Sequence, residues 1–208
     1  MMNDLLSEIQ RLKHSNIQTK IKKRIQEFKD VNTCSADDLF KELCFCILTA
    51  NFNAERTIHI HQHLQECFCT DTKEILSAKL RQHGYRFPNT RAAYIVDSVF
   101  KKEMIPAIIQ TLQRDERRAW LVDNIKGFGY KESSHFLRNI GFDDYAIIDS
   151  HILEFLQWQH LIKQPKTLTI KKYVEIENLL RKIAKQTQLT LAELDLYLWY
   201  LETGKILK

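Results

Sequence analysis

Residues that interrupt helices are scarce in this sequence, and this scarcity constrains the fold more than any other feature. The 208 residues include five glycines and three prolines, whereas an average chain of this length has about 25 of the two together. Sandwiches, barrels and doubly wound sheets need glycine and proline at many corners. The composition therefore predicts an all-α protein, and 44% hydrophobic residues are enough to bury a substantial core.

The spacing of apolar residues supports this prediction. They recur at steps of three and four along most of the chain, which is the period of one helix face. No alternating run is long enough to predict a strand. The predicted helical stretches are 5–12, 17–28, 39–48, 75–80, 92–100, 105–112, 117–125, 132–140, 152–158, 171–184 and 191–201.

Polar residues at the ends of two stretches indicate helix caps. Asp37 or Asp38 is the predicted N-cap of the stretch at 39–48. Thr190 and Glu193 have the spacing of a capping box, and Gly204 follows the end of the same helix.

The charge balance permits a nucleic-acid partner without requiring one. The chain has 31 basic and 26 acidic residues and a net charge of +5, which is moderately basic. No run of eighteen apolar residues is present, so we expect no membrane span. The N-terminus lacks a basic start followed by an apolar block, so we expect no secretory signal. These features predict a cytoplasmic protein, associated with the nucleoid if the organism is a prokaryote.

Four of the five cysteines form two Cys-Phe-Cys pairs. Cys44 and Cys46 lie on a predicted helix, where residues two apart point in different directions and do not grip one ion together. We therefore predict reduced, buried cysteines and no metal site. A four-thiolate metal protein that uses Cys44, Cys46, Cys67 and Cys69 is the alternative.

Three of the five glycines fall within fifteen residues, and two of them flank Phe128 between two predicted helices. This G-x-G turn lets the backbone reverse sharply while Phe128 points inward. The next helix then starts with unpaired N–H groups and the positive end of its dipole, which together bind phosphate. We predict a helix–hairpin–helix element at 125–131, with DNA-backbone contacts from Lys126, Gly127, Phe128 and Gly129. A plain turn between helices is the alternative, because a G-x-G motif alone is weak evidence.

A lysine and an aspartate follow this hairpin. Lys131 lies in the first turn of the next helix, and Asp149 comes eighteen residues later at the start of another. This pair at this spacing resembles the bifunctional branch of the helix–hairpin–helix DNA glycosylase superfamily. The stretches that narrow the resemblance to the second-type 8-oxoguanine DNA glycosylase/lyases of archaea and some bacteria are 42–49, 86–92, 125–139, 192–200 and 203–208.

The resemblance covers nearly the whole chain and implies an all-α fold of two lobes with the active-site cleft between them. One lobe would be built from both chain ends, 1–35 and 149–208, and the other would be a helical barrel at 36–148 that ends in the hairpin. The implied activity is excision of 8-oxoguanine from double-stranded DNA, followed by strand cleavage, by a monomer that requires no cofactor. A structural Na⁺ or K⁺ at the hairpin carbonyls is compatible with this prediction.

The resemblance also assigns roles to individual residues. Lys131 is the implied nucleophile, because a lysine amine can displace a base and open to a Schiff base. Asp149 is the implied catalytic carboxylate, which accepts a proton and stabilises positive charge on the sugar. The target base must leave the duplex, and Trp199 and Phe87 are the implied surfaces that sandwich it. Lys208 is implied to help recognise the oxidised guanine.

One position departs from the family pattern. The catalytic aspartate is usually followed by Arg and then His, whereas Ser150 precedes His151 here. We therefore do not expect the DNA contact that such an arginine would make.

Two other functions stay open at this point. A glycosylase for another damaged base would share Lys131 and Asp149, although the absent iron–sulfur ligands and the ending at Lys208 weigh against it. A non-catalytic helix–hairpin–helix module would need the glycines and neither of these two residues.

Overall fold

The structure is a computed structural model that describes residues 2–208. Within that range the regular structure is entirely helical, which confirms the all-α prediction. Two short 3₁₀ turns, at Gln65–Cys67 and Lys102–Met104, accompany the α-helices. None of the described helices is long and apolar enough to cross a membrane.

The chain divides into two compact units, the first of which contains the residues up to Asp30 and those from Leu137 to Lys208. Apolar residues of its first two helices, including Ile21 and Phe28, pack against Leu196 and Tyr197 of its last helix. Burial of this apolar surface stabilises the unit. Its helices are α1 (Met2–Lys13), α2 (Asn16–Val31), α10 (Ser150–Trp158), α11 (Ile170–Thr187) and α12 (Leu191–Thr203).

The second unit spans Val31–Phe136. Its helices are α3 (Ala36–Thr49), α4 (Ala54–Leu64), α5 (Lys73–Gln82), α6 (Pro88–Val99), α7 (Ile105–Thr111), α8 (Arg114–Asn124) and the start of α9 (Tyr130–Asn139). The central helix is α3, which packs against α4, α6 and α7 and is buried from Leu39 to Leu48 except at Lys41. The unit limits fall near the end of α2 and within α9, whereas the predicted lobe limits lie at 35/36 and 148/149.

The structure corrects the predicted cap of α3 and confirms that of α12. Ser35, and neither Asp37 nor Asp38, is the N-cap of α3. The Ser35 hydroxyl accepts from the Asp38 N–H, and the Asp38 carboxylate accepts in return from the Ser35 N–H. Asp38 is thus the third helical residue of a capping box, a position in which an acidic side chain also satisfies a free N–H. The capping box of α12 and its ending at Gly204 are confirmed.

Helix α4 is absent from the predicted stretches. Its buried face consists of Thr57, Ile60, His61 and Leu64, which have helical spacing. Two of these four residues are polar, so a search for apolar periodicity does not detect the face.

The described cysteines are all free thiols. Cys44 and Cys46 are buried as predicted, and burial raises the pKa of the Cys44 thiol well above its usual value. The prediction of burial is wrong for Cys34, which is exposed just before the N-cap of α3, and Cys67 and Cys69 are only partly buried. Within residues 2–208, no three His, Cys, Asp or Glu side chains are placed to hold a metal ion together.

Candidate active site

The predicted hairpin joins α8 to α9 in the second unit. The Phe128 N–H donates to the Ile125 carbonyl at 3.1 Å and closes the turn. The Phe128 side chain is 7% exposed, and its ring lies 6.3 Å from that of Phe136 on α9. Phe128 therefore points inward, as the sequence predicts, and anchors the turn on the helix that follows it.

The two hairpin glycines differ in how strictly the structure requires them. Gly127 has φ +86°, a left-handed conformation that residues with a side chain rarely adopt. A Cβ on Gly127 would lie 2.6 Å from a ring carbon of Tyr94, so its backbone is packed directly on that ring. Gly129 has no positive φ, and a Cβ there would meet only the Glu132 carboxylate at an ordinary 3.4 Å.

We expect Gly127→Ala to lower the free energy of unfolding by about 2–4 kcal/mol, since it adds left-handed strain to a steric clash with Tyr94. Gly129→Ala is the matched control in the same turn and should cost less than about 1 kcal/mol. Urea unfolding of both variants gives the comparison. Equal losses would contradict the close approach of Gly127 to Tyr94.

Lys131 is the second residue of α9, and its ammonium lies 3.6 Å from a carboxylate oxygen of Glu132. Adjacent helical residues do not ordinarily face each other. The contact forms because Glu132 folds back to the helix start, where its other oxygen accepts the Gly129 N–H at 3.2 Å. One of the donors predicted to bind phosphate is thus already satisfied by Glu132.

Sequence reasoning missed Glu132. A glycine N-cap with an acid three residues later has half of the capping-box pattern, and this spacing was the available signal. Glu132 holds the Lys131 side chain at the electropositive start of α9.

Lys126 points into solvent and forms an ion pair with Asp97, at 67% and 48% exposure of the two side chains. The hydrogen bond to Asp97 raises the pKa of Lys126. Exposed pairs of this kind contribute little to stability. Lys126 can therefore exchange the carboxylate of Asp97 for another anion at small cost.

Phe87 immediately precedes α6 and is packed among cationic side chains. The guanidinium of Arg86 lies 4.9 Å from the centre of the Phe87 ring. That of Arg91 lies 6.0 Å from the same ring and 5.5 Å from the ring of Tyr94, on which Gly127 packs. Within the second unit, the structure thus brings Phe87 into one cluster with the hairpin.

Asp149 lies in the first unit as the N-cap of α10. Its carboxylate accepts the Ile152 N–H at 2.9 Å, which confirms the predicted cap.

Trp199 on α12 contacts the start of α10. The ring of His151 meets it edge-on, with 5.3 Å between ring centres and 81° between ring planes. The Trp199 indole N–H is buried and has no hydrogen-bond partner among residues 2–208. The first unit therefore brings Asp149, His151 and Trp199 together where α10 meets α12, and His151 is a member of this group that sequence reasoning missed.

The tail after Gly204 is packed. Ile206 lies against the apolar cluster of the first unit, and Lys208 is partly buried. The terminal lysine therefore follows a segment that packs on this unit.

Known proteins resemble this chain along nearly its whole length. The sequence model of the 8-oxoguanine DNA glycosylase family matches residues 21–189. The chain belongs to this family. A curated 8-oxoguanine DNA glycosylase/AP lyase from Methanocaldococcus jannaschii is 52% identical, over 98% of this chain and 99% of the relative. The resemblance inferred from the sequence is thus confirmed.

Solved structures of family members have the same fold along their whole length. The M. jannaschii 8-oxoguanine glycosylase/lyase, in complex with a 15mer DNA containing 8-oxoguanine, is 50% identical with a TM-score of 0.95, covering 98% of this chain and 99% of that chain. The 8-oxoguanine DNA glycosylase of Thermotoga maritima is 38% identical with a TM-score of 0.94, and the match covers 100% of both chains.

Proposed function

We propose that this protein excises 8-oxoguanine from double-stranded DNA and cleaves the DNA strand at the resulting abasic site. The observation that carries the proposal is the full-length likeness to the M. jannaschii enzyme that was solved with DNA containing 8-oxoguanine. The 50% identity and the nearly complete coverage of both chains support the same activity in this protein.

Lys131 is the nucleophile in this reaction. Its amine attacks C1′ of the damaged nucleotide, the bond from C1′ to the base breaks, and the base leaves with the bonding electrons. The sugar then opens to a Schiff base on the lysine. Loss of a proton from C2′ expels the 3′ phosphate and cleaves the strand. The position of Lys131 in the first turn of α9, next to the hairpin, supports this role.

Asp149 is the catalytic carboxylate. It takes up the proton that the amine loses, and its negative charge stabilises the positive charge that develops on the sugar. The N-cap contact with Ile152 supports the assignment, because it keeps the carboxylate in one orientation.

Trp199, Phe87 and Lys208 recognise the flipped base. The buried indole N–H of Trp199 supports its role, because a buried donor without a partner is costly and an acceptor on a bound nucleotide would satisfy it. The cationic groups around Phe87 suit a face presented to nucleic acid.

The hairpin residues Lys126, Gly127, Phe128 and Gly129 position the DNA backbone. The Ile125 carbonyl already accepts the Phe128 N–H, and its second lone pair remains available to a structural Na⁺ or K⁺. The proposed reaction has no step that needs such an ion.

A borohydride trapping assay tests the proposal. The protein is incubated with a duplex that contains a single 8-oxoguanine, and the same duplex with guanine is the control. We expect a covalent protein–DNA adduct with borohydride and a cleaved strand without it, both dependent on the lesion. DNA binding without an adduct and without cleavage would contradict the proposed enzymatic activity. Stronger cleavage of a duplex that contains another lesion would contradict the assignment of 8-oxoguanine as the substrate.

A further inference from the structure

Asp195 is a largely buried carboxylate of the first unit to which the proposed chemistry gives no role. The side chain of Asp195, on α12, is only 13% exposed, and its Oδ2 lies 3.6 Å from a guanidinium nitrogen of Arg138. Among the described residues that line a small cavity, Asp195 is the polar one, and the other walls include Ile152 and Leu198. A charge in such apolar surroundings acts strongly on its neighbours, because little water screens it.

The position of Asp195 connects it with Asp149. Helices α10 and α12 pack together, and the cavity beside Asp195 is lined by Ile152, whose N–H binds the Asp149 carboxylate. One turn further along the same face of α12, Trp199 meets His151. Asp195 therefore lies across this cavity from the first turn of α10, and its carboxyl interacts electrostatically with that of Asp149.

Arg138 on α9 is the opposing charge. Its guanidinium lies 4.5 Å from the ring centre of Phe28, and its side chain is 4% exposed. Burial raises the pKa of Asp195 to about 6, with Arg138 acting to lower it and the charge of Asp149 acting to raise it. From α11, the wall of the cavity is the apolar Leu180.

We propose that Asp195 is a positioning residue that controls the acid side of the pH dependence of base excision through its charge on Asp149. This inference rests on the catalytic role of Asp149 in the proposed function. Ionised Asp195 repels negative charge on Asp149 and so assists proton transfer to that carboxylate. Protonated Asp195 gives no such assistance. Because Asp195 gains its proton as the pH falls through about 6, excision slows over the same range.

Single-turnover excision rates between about pH 5 and about pH 8 test this role. For the wild type, we expect an inflection near the pKa of Asp195. Asp195→Asn should be about three- to tenfold slower at neutral pH and should lack the inflection. Arg138→Gln should move the inflection to higher pH, because Arg138 lowers the pKa of Asp195. Glu154→Gln, which removes an exposed carboxylate on α10, should change neither the rate nor the inflection.

Wild-type borohydride trapping separates the two proposals. A wild type that does not trap contradicts the proposed function itself. A wild type that traps, together with an unchanged inflection in Asp195→Asn, overturns the role of Asp195. If Asp195→Asn does not fold, a second measurement tests the coupling of the two carboxylates. The ¹³C chemical shift of the Asp195 carboxyl is followed against pH in the wild type and in Asp149→Asn. The midpoint of this titration should move to lower pH in Asp149→Asn, and an unmoved midpoint overturns the coupling.

Discussion

Replacing Lys131 with glutamine is expected to abolish both the borohydride-trapped adduct and strand cleavage. Glutamine is a good helix former of similar length, so α9 should remain intact, but its amide cannot attack C1′ or form a Schiff base. We expect the single-turnover rate of cleavage to fall by at least about a thousandfold. Denaturing gels with 8-oxoguanine duplex measure both products.

The contrast variant for Lys131 is Lys126→Gln in the same hairpin. Lys126 is exposed and bound to Asp97, so its loss should weaken DNA binding and reduce its salt dependence. Trapping should return to the wild-type level when the protein saturates the DNA. A covalent adduct that persists in Lys131→Gln would show that another amine is the nucleophile.

Asp149→Asn is the second variant with a large expected effect. Asparagine caps a helix as well as aspartate does, so the contact with Ile152 and the start of α10 should survive. The charge is lost, and with it the proton acceptor and the stabilisation of positive charge on the sugar. We expect excision to slow by about a hundred- to ten-thousandfold, with a melting temperature close to that of the wild type.

Thr169→Ala is the control for Asp149→Asn, because it removes a helix cap that has no part in the proposed reaction. Thr169 caps α11 through its hydroxyl, which accepts the Lys172 N–H at 3.2 Å, and it has no role in the proposed reaction. Its removal should cost about 1 kcal/mol of stability and leave the excision rate unchanged. If Asp149→Asn excised the base at the wild-type rate, the catalytic assignment of Asp149 would be contradicted.

Features that depend on neighbouring residues could be predicted from the sequence. The hairpin at 125–131, the cap at Asp149 and the capping box of α12 were all predictable, because each is a hydrogen-bonding pattern among residues three or four apart. The N-cap of α3 was misassigned for a local reason: two adjacent acids follow Ser35, and an acid suits the first turn of a helix as well as its cap.

The sequence by itself determined the helical class, the position of the hairpin turn and the family, because these depend on composition, spacing and short motifs. The tertiary structure alone decided which distant residues meet: Tyr94 packs on Gly127, His151 on Trp199, and Arg138 beside Asp195. The physical reason is that such contacts form between helices that are far apart in the chain. The spacing of the single aspartate in α12 does not show that folding will place its carboxylate beside Arg138 and against the apolar wall of a cavity.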